Sequence, residues 1–324
     1  MGPPDTLPRV TDTHQRAPIR TTSAAVLAHY LRGCAMGSAD IVPGVSGGTV
    51  ALILGIYERL IGSIRAAASV PLAAARGDRR RARSLLREVE WALVLPLAAG
   101  IASALVVGAA VIPGLMERHP EGSRALFFGL IAAALPIPWR RVRARRASVY
   151  GIAAIAAAGA FALVGLPPAE LAEPALPLVF AAASVAIVAM ILPGVSGSFL
   201  LVIMGMYAPT LAAVNDRDLV YVAVFAAGAV VGLGLFARLL EWLLAHRHDA
   251  TMAALVGLMV GSLRALWPWQ DADRGLLAPT ADGSAWTVVG MAVLGLSLIT
   301  VLALVERRLD GADEAPAQRP AQRP

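Results

Sequence analysis

The stretch IVPGVSGGTVALILGIY, Ile41–Tyr57, aligns without gaps to ILPGVSGSFLLVIMGMY, Ile191–Tyr207, and this pairing decides the fold. Each copy sets a Pro-Gly pair in the middle of an apolar run, Pro43-Gly44 in the first and Pro193-Gly194 in the second. In a bilayer such a break releases backbone groups that lipid cannot satisfy, so it survives only beside protein or a polar cavity. Two matched breaks therefore predict two similar halves around a shared cavity.

Outward from the motif the layout repeats. Apolar spans follow the first break near Trp91–Leu115, Arg124–Trp139 and Ser148–Leu166, and the second near Leu219–Ala245, Met252–Trp267 and Ala285–Val305. A fainter echo joins ALFFGLIAAALPIPW (Ala125–Trp139) to AALVGLMVGSLRALW (Ala253–Trp267). With 57% hydrophobic and 15% charged residues in 324, the chain has a membrane protein's balance. The expected fold is an all-α integral membrane protein of two inverted repeats. Each repeat is a broken or re-entrant Pro-Gly helix pair followed by about three transmembrane helices. The expected divisions are a disordered cytoplasmic N-terminus (1–22), the first repeat (23–166), an external linker (167–176), the second repeat (177–306) and a disordered cytoplasmic tail (307–324).

Charge placement orients these halves. The chain has no lysine, and its arginines crowd two stretches, Arg76, Arg79, Arg80, Arg81, Arg83 and Arg87, then Arg140, Arg141, Arg143, Arg145 and Arg146. Both read as cytoplasmic loops, whereas Glu117–Ser123 and the acidic Pro167–Pro174 read as external. Three spans separate the breaks, so they approach from opposite faces. The polar start lacks a cleavable signal pattern, which points to a multi-pass protein of the bacterial cytoplasmic membrane with both termini inside. The net charge of +6 lies beside apolar segments, so it marks topology and argues against a nucleic-acid partner. Cys34 is the one cysteine, which excludes an internal disulfide and a thiolate metal cluster, and no cofactor is expected.

After each break the letters read PGVSG. Proline suits a first helical turn, glycines allow close backbone approach, and Ser46 or Ser196 brings a hydroxyl. A helix start also offers unpaired N–H donors and roughly half a positive charge. Two such ends facing each other near the midplane are suited to one phosphate. The competing reading is that the Pro-Gly pairs kink packed helices and the small residues allow tight contacts.

Ionisable groups within membrane segments are functional candidates. Arg32 and Asp40 rank first: they lie eight residues apart, roughly on one helix face, with Asp40 just before the first break. Arg238 and Glu241 are three apart and a candidate ion pair, while Arg264 and Glu58 are candidates for snorkelling at the interface. Tyr57 and Tyr207 occupy matching positions, as cavity caps or as interfacial anchors.

On IVPGVSGGT with ILPGVSGS, and on AALVGLMVGSL, the sequence resembles the polyprenyl-phosphate transporter family formerly catalogued as domain of unknown function 368, over about Ala28 to Leu304. The resemblance implies a flippase that returns undecaprenyl phosphate, or a related polyprenyl phosphate, from the outer to the inner leaflet for cell-envelope carrier recycling. The family motif, carried over residue by residue, falls on Arg32, Asp40, Pro43, Gly44, Ser46, Gly47, Gly48 and Thr49 in the first copy. In the second it falls on Pro193, Gly194, Ser196, Gly197 and Ser198. The prolines are assigned to structure and the others to substrate binding, with the lipid phosphate, the bilayer and protons as partners. Two other classes stay open: a small inorganic anion channel or exchanger, and a membrane polyprenyl-pyrophosphate phosphatase. The phosphatase needs an acid, base or nucleophile constellation, and none of His14, His29, His119, His246 or His248 lies in either motif, so no enzyme activity is expected.

The halves match in backbone motif but not in polarity. Arg32 aligns with Ala182, Asp40 with Met190, Gly48 with Ser198 and Thr49 with Phe199. Arg32 is therefore the expected phosphate partner, because its charge persists at any working pH. Asp40 is read either as a proton carrier or as a group that only caps the half-helix or pairs with Arg32.

Overall fold

The computed structural model describes residues 23–42, 45–271, 274–279 and 284–313, with 109, 113, 284 and 302–313 as backbone alone. Pro43, Gly44, the expected N-terminal segment 1–22 and the tail beyond 313 lie outside the described residues.

The first half opens with α1 (Ser23–Ile41), breaks, and continues through α2 (Gly47–Ile53) and α3 (Tyr57–Ala75). The second opens with α9 (Leu176–Ile191), breaks, and continues through α10 (Gly197–Ile203) and α11 (Tyr207–Asn215). Between them lie α4 (Arg79–Glu88), α5 (Trp91–Arg118), α6 (Pro120–Ala134), α7 (Pro136–Trp139) and α8 (Ala147–Leu163). After α11 come α12 (Leu219–His246), α13 (His248–Ser262) with a 3-10 turn at Leu263–Leu266, and α14 (Ser284–Asp313). The architecture is all-α, with α1, α2 and α3 matched by α9, α10 and α11, and α5, α6 and α8 matched by α12, α13 and α14. Among the described residues four stretches are long and apolar enough to cross a bilayer: Trp91–Arg118, Pro120–Trp139, Leu219–His246 and His248–Leu266. Residues such as Val106 and Leu219 stand exposed along these helices, as lipid-facing side chains do.

The first arginine cluster is not a plain loop. Asp78 accepts the Arg81 N–H at 2.9 Å and starts α4, whose Leu85 is buried while its arginines face outward. Arg, Leu and Ala are good helix formers, and a capped start suffices for a short amphipathic turn pair.

Small residues set the helix pairing. A Cβ on Gly33 or Gly37 would run into the backbone of Leu97 or Ile101, so α1 lies against α5 and runs in the same direction. Gly228 and Gly232 bring α12 equally close to Phe180 and Ser184 of α9, again in the same direction. Two further glycine-lined pairs cross between the halves. Gly129 and Gly295 pack α6 against α14, and Gly257 and Gly261 pack α13 against α8. The two halves are thus interlocked. The largest core cluster draws Val42, Leu52 and Tyr57 from one half together with Leu240, Met252 and Met259 from the other.

Bonds between loops gather the arginine-rich stretches on one face. Asp249 accepts the N–H groups of Arg143 and Ala144, both at 2.9 Å, Arg59 pairs with Glu90, and Arg141 lies 3.5 Å from Glu58. The acidic stretch 167–174 lies one helix away, beyond the 17 residues of α8, or about 25 Å at 1.5 Å per residue.

Candidate functional site

The first break is spanned by side chains of its own half. Asp40, at the end of α1, accepts the Gly47 N–H at 2.7 Å, and Ser46 caps α2 by accepting the Gly48 N–H at 3.1 Å. Helix starts leave such donors orphaned, and capping of this kind removes the cost.

The same residues then reach the second half. The Ser46 hydroxyl proton is shared between the carbonyls of Met190, at 3.0 Å, and Leu192, at 3.2 Å. Tyr57 donates to the Ile191 carbonyl at 3.1 Å, and Thr49 accepts the Gly194 N–H at 2.8 Å. Three hydroxyls of the first half therefore satisfy backbone groups at the end of α9 and in the turn after it, where Gly194 adopts φ +84°, a conformation suited to glycine. Ser46, Thr49 and Tyr57 are buried.

The second break is arranged differently. Ser196 caps α10 by accepting the Phe199 N–H at 3.4 Å and bonds the Ser198 hydroxyl at 2.9 Å, while Ser198 itself is exposed. Pro193 is buried. The glycines of both motifs face protein: a Cβ on Gly47 would meet the Asp40 carboxylate, one on Gly48 the Ile191 carbonyl, and one on Gly197 the Ala186 carbonyl and the Met190 side chain.

Arg32 sits further back on α1, with Nη1 3.1 Å from His29 Nδ1 and no bond to Asp40 among the described residues. His29 in turn lies within electrostatic range of Arg32, Arg59 and Glu90, which sets this end of α1 on the arginine-rich face. The matched tyrosines diverge: Tyr57 is internal, whereas Tyr207 is exposed at the start of α11. Glu58 pairs with Arg141.

The expected Arg238–Glu241 pair does not form. Arg238 donates through Nε and Nη2 to Ser69 Oγ at 3.3 and 2.9 Å, and Glu241 pairs with Arg65 instead. Packing of α3 against α12 brings Ser69 and Arg65 closer than the intrahelical neighbour. Arg264 does not simply snorkel: its guanidinium lies 4.6 Å from the Phe161 ring centroid and donates to the Phe161 carbonyl at 3.1 Å.

One basic group escaped the sequence reading. Arg274, in the turn between α13 and α14, stacks 4.5 Å over the Phe199 ring beside the second break, and its buried Nη1 has no hydrogen-bond partner among the described residues. Burial lowers its pKa from the ordinary arginine value, though an arginine stays charged. The signal was present in the letters, because Arg274 is the only arginine between Leu266 and Ser284 and lies in a stretch otherwise acidic. Among the described residues no group of three or more His, Cys, Asp or Glu could hold a metal ion, and Cys34 is a free thiol.

The model of the undecaprenyl phosphate translocase-like family matches residues 36–282. A polyprenyl-phosphate transporter of Vibrio cholerae is 38% identical over 245 residues, covering 76% of this chain and 79% of the relative. A polyprenyl-phosphate transporter of Staphylococcus aureus is 28% identical over 257 residues, covering 74% of this chain and 86% of the relative. No solved structure matches. A polytopic helical protein whose paired PGVSG breaks fall within that match belongs to the undecaprenyl phosphate translocase-like family of membrane proteins.

Proposed function

We propose that this protein carries a polyprenyl phosphate, such as undecaprenyl phosphate, from the outer to the inner leaflet of the bacterial cytoplasmic membrane. The lipid carrier is thereby returned for envelope synthesis. The observation that carries the reading beyond family membership is the docking of the two breaks, in which Ser46, Thr49 and Tyr57 bond the backbone of residues 190–194. Each such bond contributes only about 1 kcal/mol net, so a phosphate that offers equivalent oxygen acceptors can replace them one at a time. The docked state is then the closed state of the path.

Inverted repeats are part of the proposal. The turn after α2, at Gly55, faces the Arg141 side chain, whereas the turn after α10, at Gly205, faces Ala169 and Leu171. These two positions lie on opposite sides of the α8 length, which supports entry of the two broken segments from opposite faces. The arginine-rich face is assigned to the cytoplasm, with both termini there.

In this scheme Arg274 and the exposed Ser198 receive the phosphate on the outer side, and Arg32 receives it on the inner side. Asp40, already bonded to the first N–H of α2, takes up the proton that couples movement to the gradient. Gly48, packed against the Ile191 carbonyl, keeps the two broken segments in contact, and Gly47, Gly194, Ser196 and Gly197 shape the turn and helix starts beside it. Proteoliposomes that report lipid-phosphate movement and chloride flux in parallel test the assignment. Lipid movement without chloride flux is expected, and chloride flux without lipid movement overturns it.

A further inference from the structure

A cavity of about 340 Å³ lies between α3, α4 and α12, away from both PGVSG motifs. Its wall carries Arg65, Arg76, Arg81 and Arg238, with Ser69 at its base. Arg65 is committed to Glu88 and Glu241. Arg76, Arg81 and Arg238 form no ion pair with a carboxylate among the described residues. Asp78, the acid on this wall, uses its carboxylate to cap α4. Three guanidinium groups therefore face one space against a single carboxylate, that of Asp78.

Arg238 is the most telling of them. It stands on an apolar membrane helix, eight residues before the α12 terminus at His246, where a cation is expensive. Two of its N–H groups go to the buried Ser69 hydroxyl, which holds the guanidinium in place. Such fixed guanidinium donors recognise phosphate oxygens better than freely rotating ammonium groups do.

The surroundings identify the ligand as a lipid. α4 is strongly amphipathic, with Leu85 buried, and ends beside an exposed Trp91 whose Nε1–H donates to the Leu86 carbonyl at 2.8 Å. An arginine-rich amphipathic helix that leads to an exposed tryptophan has the make-up of a segment at the headgroup level of a bilayer. Leu72, exposed on the same wall, offers an apolar surface for the start of a hydrocarbon chain. Charge narrows the class further: a phosphate monoester carries roughly −1.5 to −2 at neutral pH, a diester about −1, and three unpaired guanidinium groups suit the former.

We propose that this pocket is a second binding site, separate from the docked breaks, for the phosphate-monoester headgroup of a membrane lipid on the arginine-rich face. The assignment does not depend on transport. It is tested on the full-length protein in detergent with a photoactivatable analogue of farnesyl phosphate, by mapping the labelled peptides. Labelling is expected between Leu72 and Leu85 or beside Arg238, with competition by farnesyl phosphate but not by farnesol. The double variant Arg76→Gln with Arg81→Gln, both exposed positions, should lose about tenfold in labelling there while labelling elsewhere persists. If that variant does not fold, Arg81→Gln alone should lose roughly threefold. Unchanged labelling in the variant that folds, or no label in this segment, overturns the site. Equal competition by inorganic phosphate overturns the lipid assignment, and equal competition by phosphatidylglycerol overturns the monoester.

Discussion

At the first break Asp40 and Ser46 satisfy the leading N–H groups of α2, and Ser46, Thr49 and Tyr57 reach onward to the second. At the second, Ser196 turns to its neighbour Ser198, and the backbone of residues 190–194 is held from across the interface. Met190 replaces the carboxylate of Asp40, and Phe199 replaces the hydroxyl of Thr49. In both copies the serine of the shared letters caps the short helix that follows, and the positions that differ decide which half holds and which is held. A duplicated motif can thus keep its backbone and divide its polar work.

The aligned pair Gly48 and Ser198 gives the largest expected contrast. Gly48→Leu drives a side chain into the Ile191 carbonyl and should cost more than about 3 kcal/mol, seen as loss of monodisperse protein after solubilisation. Ser198→Leu, at an exposed position, should stay within about 0.5 kcal/mol. Equal tolerance at both positions would break the comparison.

The serines come next. Ser46→Ala strands an N–H of α2 and two carbonyls near α9, and should lower stability by about 2 to 3 kcal/mol in thermal unfolding. Ser196→Ala should cost about 1 kcal/mol, a lost cap. Of the tyrosines, Tyr57→Phe should cost about 1 kcal/mol, whereas Tyr207→Phe should leave the melting temperature unchanged.

The smallest effect on stability is expected at Asp40. Asparagine keeps an oxygen for the Gly47 N–H, so Asp40→Asn should shift stability by less than about 0.5 kcal/mol. Its transport should nevertheless lose dependence on a pH gradient across proteoliposomes. A variant that retains the gradient dependence removes Asp40 from the role of proton carrier.

Much of the architecture was legible because its cause is local. Pro-Gly in an apolar run announces a break, and arginine stretches announce a face. The all-α reading follows from that, with two long apolar helices after each break among the described residues and a shorter apolar helix after each pair. The partners of Ser46, Thr49 and Tyr57 were not legible, because they are main-chain groups about 140 residues away that carry no side-chain signature. Glycines read as room for phosphate face neighbouring protein atoms here, and a glycine's letter does not say what approaches it. Arg238 was misassigned because intrahelical spacing suggested Glu241, whereas helix packing supplied Ser69. α4 was hidden by its charge, which outweighed the Asp78 cap in the reading.

The crossed pairing of α6 with α14 and of α8 with α13 has a consequence for synthesis. A ribosome delivers α6 into the bilayer well over a hundred residues before α14 exists, so its glycine face must wait in lipid until the chain is almost complete. Separate expression of residues 1–166 would leave both α6 and α8 without their mates, and neither fragment would be a folding unit. Each half thus lacks, within itself, the partners that its own helices need, and folding has to wait for both to be made.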